Sequence, residues 1–281
     1  MISVSNLFFG YKKKETFFSD LNLSMPDGHI YGLLGKNGAG KTTLMKLLTG
    51  LHFPTNGLVT IDEFNPKDRE SECLQKIFFI PEEFYLPSYS QKKYEEIYSP
   101  FYPNFQHDKF VEYLKYFEVS DSKNIDSLSL GQKKKFLLAF AFATDCQYLL
   151  LDEPTNGLDI PSKKQFRKLV AELIDQKRTI LISTHQVHDI AKLLDQVIII
   201  EGGKIVLNES IERIEEKLTM KHYRNKNNLS NSIYSQDTVG GMISLEKNES
   251  NQFESIDLEL LFNASLTNAE AIINTLNGGA K

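Results

Sequence analysis

The sequence predicts an α/β protein whose central sheet is mainly parallel. Short apolar segments, which suit buried strands, alternate with longer amphipathic segments, which suit helices. This alternation is typical of a parallel sheet covered by helices on both faces. Residues 84–145 interrupt the pattern, because Tyr and Phe crowd the first half of that stretch and charged residues recur at helical spacing. We therefore expect a helical subdomain inserted into the α/β fold at about 84–145.

The individual elements follow in chain order. The predicted strands are "ISVSNLFF", "HIYGLLG", "GLVTID", 147–151, 179–184 and 197–200, and the predicted helices are 41–50, 162–177 and a segment after His185. Gly202-Gly203 predicts a hairpin turn into "KIVLN". Beyond residue 217 the composition shifts to Asn, Ser and Lys, which predicts a linker or exposed loop over 221–236. "TVGGMISL" then predicts a hairpin, and "SIDLELLFNASL" a helix capped by Ser255, so that 217–281 forms a C-terminal extension.

Composition narrows the class of protein. The chain has 281 residues, 41% hydrophobic and 25% charged, which is ordinary for a globular protein. The net charge of -5 argues against a dedicated nucleic-acid binder, and we expect no nucleic-acid partner. Cys73 and Cys146 lie in apolar segments, which favours a reducing, cytoplasmic location. The apolar runs are too short to span a bilayer, so any membrane-spanning part must come from another chain.

The segment "GLLGKNGAGKTT" contains the spacing Gly35-x-x-x-x-Gly40-Lys41-Thr42. It follows a predicted strand and opens a predicted helix, which is the context that the P-loop motif requires. Its glycines allow backbone N–H groups to surround a phosphate chain at the helix N-terminus. Lys41 is expected to reach the outer phosphates and Thr42 to offer a hydroxyl to Mg²⁺. The alternative is a glycine-rich turn that binds nothing.

Two further buried strands end in polar side chains. "YLLLDEP" ends in Asp152 and Glu153, at the edge of a parallel sheet where ligands bind. We expect Asp152 to hold magnesium through water and Glu153 to orient or deprotonate an attacking water. "ILISTH" ends in His185, which can donate to a γ-phosphate oxygen. The alternatives are that the two acids cap the next element and that the histidine is an ordinary polar strand end.

The segment "LSLGQKKK" places Lys133, Lys134 and Lys135 in the first turns of a predicted helix. Cations are unfavourable at a helix N-terminus, by roughly 0.3–1 kcal/mol each. Either a strongly anionic group docks on this helix end, or the lysines are solvated and the cost is screened.

The ordered set of motifs resembles the ATP-binding cassette family over roughly residues 1–216. The motifs are the P-loop at 35–42, "LSLGQ" at 128–132, "LLLDEP" at 149–154, "GLD" at 157–159 and His185. The resemblance implies a RecA-like P-loop NTPase core with an antiparallel β subdomain, the inserted helical subdomain and a small C-terminal extension. It implies ATP hydrolysis with ATP and Mg²⁺ as cofactors. The implied ATP-binding residues are Tyr11, Gly35, Asn37, Gly38, Ala39, Gly40, Lys41, Thr42 and Thr43.

In this family two cassettes pair head to tail, and the signature segment 128–132 of one copy closes on the ATP held by the other. The resemblance therefore implies contacts in trans from Ser129, Leu130, Gly131 and Gln132, and a dimer contact at Asp159. The lysines that follow would lie in the field of that ATP. Tyr11 falls where the family places an aromatic on adenine, with a core or surface tyrosine as the alternative.

Two positions depart from the family pattern. Leu130 stands where the commonest form of the motif has Gly, and Glu82 stands where the family has a metal-binding Gln. A carboxylate is a competent ligand for Mg²⁺, so we expect Thr42, Asp152 and Glu82 to bind the metal. Glu82 also adds negative charge near the triphosphate. Some drug and antibiotic exporters of the family also have Glu at this position, so the resemblance favours that branch.

The leading hypothesis is the ATP-hydrolysing subunit of a transporter. It pairs with itself or with a related cassette and drives separate transmembrane permease subunits. The resemblance implies that these subunits dock on the aromatic segment 84–117. The alternative for that segment is that its aromatic side chains form the core of the helical subdomain itself. The chain would sit in the cytoplasm, on the inner face of the cell membrane. The alternative function is a soluble ATPase acting on the ribosome or DNA.

Overall fold

The computed structural model describes residues 1–12, 15–122, 124–174, 178–224, 232–250 and 254–278. Its twelve strands in the described part are β1 Ile2–Phe9, β2 Phe18–Met25, β3 Ile30–Leu34, β4 Asn56–Ile61, β5 Ile77–Ile80, β6 Tyr148–Asp152, β7 Thr179–Thr184, β8 Gln196–Glu201, β9 Lys204–Ser210, β10 Leu218–Tyr223, β11 Ser232–Thr238 and β12 Gly241–Lys247. The α-helices described are α1 Lys41–Leu48, α2 Ser71–Leu74, α3 Gln91–Tyr98, α4 His107–Tyr116, α5 Leu130–Ala143, α6 Ile160–Leu173, α7 Ile211–Lys217 and α8 Leu258–Leu276.

A six-stranded sheet in the order β5-β6-β7-β3-β8-β9 forms the centre of the fold. Its first five strands are parallel, and β9 pairs antiparallel with β8 through the predicted Gly202-Gly203 turn. Alternate residues of each central strand belong to different apolar clusters, as Leu149 and Leu150 show on β6. The sheet is therefore buried on both faces, which explains why its strands are continuous apolar runs. The α/β prediction is confirmed.

Two smaller sheets accompany the central one. An antiparallel sheet in the order β2-β1-β4 covers the side of the core next to the P-loop, as the β subdomain implied by the resemblance. A second antiparallel sheet, β10-β12-β11, packs against helix α8. The predicted hairpin "TVGGMISL" forms the turn between β11 and β12, where Thr238 pairs with Gly241.

Helices α3, α4 and α5 lie between β5 and β6, which are neighbours in the sheet. Most aromatic side chains of segment 84–117 pack into the hydrophobic core rather than face solvent: Phe110 and Phe117 are at most 1% exposed, and Tyr94 and Tyr113 are 7% exposed. Burying such side chains contributes about 1.5–3 kcal/mol each. The alternative, in which these aromatics form the subdomain's own core, therefore describes most of them.

Three predictions about local structure were wrong. The segment after His185 is two short 3-10 turns, Val187–Asp189 and Ala191–Leu193, instead of an α-helix. The stretch 221–236 is not a linker where it is described, because it contains the end of β10 and the start of β11. Polar composition misled here because one face of a small antiparallel sheet remains exposed to solvent.

The third error concerns the cap of the last helix. Asp257 rather than Ser255 caps α8, and its carboxylate accepts from the N–H groups of Glu259 and Leu260. Both residue types are favourable caps, so the sequence alone did not distinguish between them. Leu258 and Leu261 face the core, and Phe262 packs partly buried against it.

Candidate nucleotide-binding site

The P-loop joins the end of β3 to the start of α1. Gly38 and Gly40 have φ angles of +80° and +113°, which residues with a Cβ rarely adopt. A Cβ on Gly40 would also lie 2.8 Å from the rings of Phe17 and Phe18, whereas one on Gly38 would enter open space. Helix α1 has no side-chain cap at its N-terminus. Its first backbone N–H groups therefore remain available to an anion.

Lys41 lies at the first position of α1 and is only 7% exposed. Its Nζ donates to the carbonyl oxygen of Gly35 at 2.7 Å and to that of Lys36 at 3.4 Å. Burial lowers the pKa of Lys41, while the negative charges of nearby carboxylates act in the opposite direction. The loop thus holds the ammonium at its centre, where a phosphate chain would meet it.

Asp152 ends strand β6 and is 1% exposed. Its Oδ2 accepts from the hydroxyl of Thr42 at 2.6 Å, and its Oδ1 accepts from the hydroxyl of Ser183. The predicted metal-binding pair of Thr42 and Asp152 is therefore in direct contact. Ser183 was missed by the sequence analysis, although a polar residue near the end of an otherwise apolar strand was a usable signal.

Glu153 follows immediately and has a φ of +47°, a left-handed conformation that costs about 1–3 kcal/mol for a residue with a side chain. The residue is 3% exposed, and its Oε1 lies 2.8 Å from Nδ1 of His185. The other carboxylate oxygen, Oε2, is buried without a hydrogen-bond partner among the described residues. A buried carboxylate oxygen with no partner is a group available to accept a proton or bind a water.

These side chains open onto one cavity of about 420 Å³, called here the P-loop cavity. Glu82 lies on its wall, and its Oε1 accepts from the side-chain amide of Asn156 at 3.2 Å. Tyr11 lies at its rim, 58% exposed, with its hydroxyl 2.6 Å from that of Thr43. The lining residues are Tyr11, Phe17, Lys36, Asn37, Gly38, Gly40, Lys41, Thr42, Thr43, Glu82, Asp152, Glu153 and His185.

The cavity therefore brings together most of the residues predicted to bind ATP or metal. Gly35 and Ala39 do not line it: the first supplies a carbonyl to Lys41, and the second is 5% exposed in the core. Phe17 and Lys36 line it but were not predicted. Lys36 lay within the motif itself, whereas nothing in the sequence marked Phe17, which packs edge-on against Tyr11.

The signature segment does not line the P-loop cavity of its own chain. Ser129 caps α5, its hydroxyl accepting from the N–H of Gln132 at 3.3 Å, and Leu130 is 63% exposed. The side chain of Gln132 donates to the carbonyl of Glu118 at 3.2 Å and accepts from the N–H of Ser120 at 2.9 Å. A Cβ on Gly131 would lie 2.9 Å from the carbonyl oxygen of Gly157.

Asp159 likewise serves as a helix cap. Its carboxylate accepts from the N–H of Ser162 at 2.8 Å, and this hydrogen bonding lowers the pKa of Asp159. The side chain is fully exposed, and the neighbouring Ile160 is 82% exposed. Signature segment and Asp159 therefore share a solvent-facing surface, as expected of groups that meet another molecule.

Two of the lysines after the signature segment contradict the expectation that these side chains are solvated. Lys134 is 3% exposed and Lys135 is 9% exposed, so neither is solvated. The Nζ of Lys134 donates to the carbonyl oxygen of Glu153 in the same chain at 2.8 Å. The helix thus directs this cation inward, to its own protomer's acidic site.

Comparison with known proteins agrees with this geometry. The family model for "ABC transporter" matches residues 18–156. The ABC transporter ATP-binding protein NatA of Bacillus subtilis (strain 168) is 31% identical over 219 residues, covering 75% of this chain and 89% of that protein. This chain belongs to the ABC transporter family. The SkfA peptide export ATP-binding protein SkfE of the same organism is 32% identical over 223 residues, covering 77% of this chain and 92% of that protein.

A solved dimeric structure of a bacterial ABC transporter cassette shares the fold of this ABC ATPase, with a TM-score of 0.66 and 25% identity. It covers 75% of this chain and 98% of that chain. As a member of the family, the chain binds and hydrolyses ATP. The comparisons support the transporter interpretation and not the ribosome or DNA alternative.

The residues of the P-loop cavity also fit magnesium. In the described part of the chain, no cluster of three His, Cys, Asp or Glu side chains is arranged to hold a metal. Mg²⁺ bound with a nucleotide needs no such cage, because phosphates and water complete its coordination. Thr42, Asp152 and Glu82 offer the hard oxygen atoms that it prefers, at the wall of one cavity.

Proposed function

We propose that this chain is the energy-coupling subunit of an exporter, and that it pairs with a second cassette on binding ATP to drive separate transmembrane subunits. The observation that carries the proposal is the division of the site. One surface holds a complete P-loop cavity, and another exposes the signature segment and Asp159. A head-to-tail pair would bring each signature segment to the other copy's cavity, and the related cassette is a dimer.

The residue roles within this proposal follow from the geometry of the cavity. Lys41 and the uncapped start of α1 would bind the phosphates. Thr42, Asp152 and Glu82 would hold Mg²⁺, which shields phosphate charge when bound. Glu153 would accept a proton from water, since its Oε2 is buried and unpaired among the described residues.

His185 would support the same step. Its Nδ1 lies against Oε1 of Glu153, so the histidine fixes one carboxylate oxygen and leaves the other free to act. Its opposite ring nitrogen faces Gln186 at 3.4 Å, at the open side of the cavity where an outer phosphate would lie. In trans, Ser129 and the Gly131 backbone would contact that phosphate, with Leu130 and Gln132 shaping the surface and Asp159 meeting the partner cassette.

A groove between the core and the helical subdomain is the surface that we assign to the transmembrane partner. It has a volume of about 400 Å³, and Leu51 and Phe101 on its walls are 51% and 62% exposed. A short helix from a membrane-spanning subunit is the occupant that we propose, because the relatives are subunits of transporters. Only a few exposed aromatics of segment 84–117, including Phe101, would therefore serve the partner.

We propose that the chain lies on the inner face of the cell membrane, held there by its partner. In the described part of the chain, none of the helices is both long and apolar enough to cross a bilayer. We propose residues 1–216 as the cassette domain and 217–281 as the C-terminal extension. The extension contacts the cassette next to the site, where His188 lies 2.8 Å from Glu259 of α8.

The experiment that tests this function is purification of a tagged Glu153→Gln variant from detergent-solubilised host membranes in ATP. The variant keeps the size of the side chain but removes the base, so we expect trapped cassette dimers and about a 100-fold loss of ATP turnover. We expect a polytopic membrane protein to copurify in stoichiometric amount. A Leu51→Ser, Phe101→Ser variant should lose this partner but still bind ATP.

The opposite results would each overturn part of the proposal. Recovery of ribosomal proteins or DNA without a membrane protein would refute the transporter role. Retention of the partner by the groove variant would place the docking surface elsewhere. ATP turnover by Glu153→Gln near that of the unmodified protein would refute the role of Glu153.

A further inference from the structure

Lys134 is a buried cation that none of the roles above uses. It lies on α5, is 3% exposed, and donates to the carbonyl oxygen of Glu153 at 2.8 Å. Among the described residues, no carboxylate lies within 4 Å of its Nζ, so it has no direct ion pair there. A buried charge is costly unless it is compensated. Its compensation must therefore come from the acidic site that it faces.

The carbonyl of Glu153 joins Lys134 to Glu82. That oxygen also accepts from the backbone N–H of Asn156 at 3.2 Å, and the side-chain amide of Asn156 donates to Glu82 at 3.2 Å. Lys134 thus contacts the Glu153 carbonyl directly, and Glu82 is linked to that carbonyl through Asn156.

The residue that carries this carbonyl is also the strained one. Glu153 has its φ of +47°, and its N–H donates to the hydroxyl and the carbonyl of Ser183, both at 3.1 Å. The bonds on the two sides of Glu153 hold the left-handed conformation. Lys134 supplies the charged bond of this set, and hydrogen bonds to charged groups are stronger than neutral ones.

The distribution of charge around the cavity also connects Lys134 with Glu82. Asp152, Glu153 and Glu82 bring three carboxylates to the wall of one cavity that must also accept a triphosphate. Burial lowers the pKa of Lys134, and the charges of Glu82, Glu153 and Asp152 oppose that effect. Lys41 is already bound to the loop carbonyls. Lys134 is the second buried cation that faces these acids.

We propose that Lys134 is a positioning residue that offsets the negative charge of Glu82 and holds the backbone of Glu153 in its left-handed conformation. The inference rests on the proposed roles of Glu82 and Glu153. Glu82 and Lys134 then act as a pair: the cation lowers the repulsion between Glu82 and the nucleotide, and the carboxylate lowers the cost of burying Lys134. Through this bond the helix that begins at the signature segment is tied to the acidic residue of its own protomer.

A double-mutant cycle tests the pair, with the proteins Glu82→Gln, Lys134→Gln and the combination of both. The first readout is binding of a fluorescent ATP analogue in EDTA, which needs neither metal nor turnover. Lys134→Gln should weaken this binding about tenfold, because it leaves three carboxylates with one cation fewer. Adding Glu82→Gln should raise the affinity of Lys134→Gln to within about threefold of the unmodified protein, a larger gain than the same substitution gives in the unmodified protein. Lys133→Gln, a neighbour on the same helix, is the control and should change nothing.

The second readout separates positioning from general stability. Lys134→Met, which removes both charge and hydrogen bond, should lower kcat at saturating ATP about tenfold or more, in addition to the loss of ATP affinity that comes from losing the charge. Lys134→Arg, which keeps the charge and a donor, should recover part of that loss. Should Lys134→Met fail to fold, Lys134→Gln and Lys134→Arg still give the comparison.

Independent effects of the two substitutions would overturn the proposal. If the double variant in EDTA binds as weakly as the product of the single effects predicts, the residues are not a pair. If Lys134→Met changes only the unfolding temperature and leaves kcat intact, the lysine is structural. Failure of Glu153 as the base would show in the Glu153→Gln turnover instead, and would leave the EDTA binding cycle unchanged.

Discussion

The start of α1 and the start of α5 are both helix N-termini at the nucleotide chemistry, yet they are built differently. Helix α1 begins after Gly40 without a side-chain cap, and its open N–H groups face a cavity that its own chain completes. Helix α5 begins at Leu130 after the capping hydroxyl of Ser129, and Leu130 at this end is 63% exposed, whereas the helix is buried from Lys134 onward. The start of α1 therefore belongs to a cavity that one chain completes, whereas the start of α5 lies at the protein surface.

The buried lysines show the same contrast. Among the described residues, Lys41 at the start of α1 donates only to carbonyls of the P-loop, which an incoming phosphate could replace as its partner. Lys134 in α5 is committed to the peptide of Glu153. In the proposed function, the cation at the first helix end would serve the ligand, whereas Lys134 at the second end is bound within its own chain. The signature segment would then contact phosphate through the hydroxyl of Ser129 and backbone groups.

The largest effect on ATP binding and turnover is expected when the start of α1 and the start of α5 are each disrupted by a substitution in a separate variant. Lys41→Ala should weaken ATP binding about 100-fold, since it removes charged contacts to the phosphates. Ser129→Arg should preserve binding but abolish turnover, because the bulky cation blocks the surface that meets the other cassette. ATP binding and turnover of each purified variant measure both effects, with Lys46→Ala on the same helix as the control for the first.

Mixing the two variants then decides whether the ends work in trans. A mixed dimer has one site with both ends intact, and half of randomly paired dimers are mixed. The mixture should therefore recover about one quarter of the unmodified turnover if each site acts alone. A mixture as inactive as its components would mean that both ends act within one chain, and the comparison would fail.

Residues of the cavity could be predicted because their chemistry is local in sequence. The P-loop, the strand ending in Asp152 and Glu153, and the strand ending in His185 each announce a polar group at a fixed place on a buried element. Parallel strands then bring those ends together. Ser183 and Asn156 were missed because their roles depend on contacts across the sheet, to Asp152 and to Glu82.

The C-terminal part of the chain was harder to predict for a physical reason. Strands β10 and β11 carry polar residues on an exposed face, so their composition resembles that of a loop. The burial of Lys134 was missed for the opposite reason, because three consecutive lysines suggest solvent until the backbone shows that one points at Glu153. Charge alone does not reveal which side of a helix faces inward.

A smaller effect on ATP binding is expected at Tyr11, beside the start of α1. Tyr11 lies at the rim of the cavity with an exposed ring that packs edge-on against Phe9, Phe17 and His52. Tyr11→Ala should weaken binding of a fluorescent ATP analogue about fivefold, the scale of one aromatic contact. Tyr11→Phe keeps the ring and loses only the bond to Thr43, so it should bind almost normally. Equal losses in both variants would assign the effect to the hydroxyl and not to stacking.

The smallest effect, on the stability of the fold, is expected at Gln132 near the start of α5. Gln132 fastens the start of this helix to the loop before it, by bonds to the Glu118 carbonyl and the Ser120 N–H. Gln132→Ala should lower stability by about 1 kcal/mol, since it removes two partly exposed hydrogen bonds. This corresponds to a fall of about 2–4 °C in Tm, measured by thermal unfolding. Gln132→Glu retains an acceptor for Ser120 and should lose less.

ATP binding in EDTA should not respond to Gln132→Ala, because the P-loop cavity is built without the signature segment. Turnover should fall slightly more than stability alone explains, since the segment that meets the other cassette is less firmly held. A change of more than about twofold in the EDTA affinity would show that the two helix ends are coupled within one protomer. In that case α5 would not be a separate surface waiting for a second copy, and the contrast between the two helix starts would have to be given up.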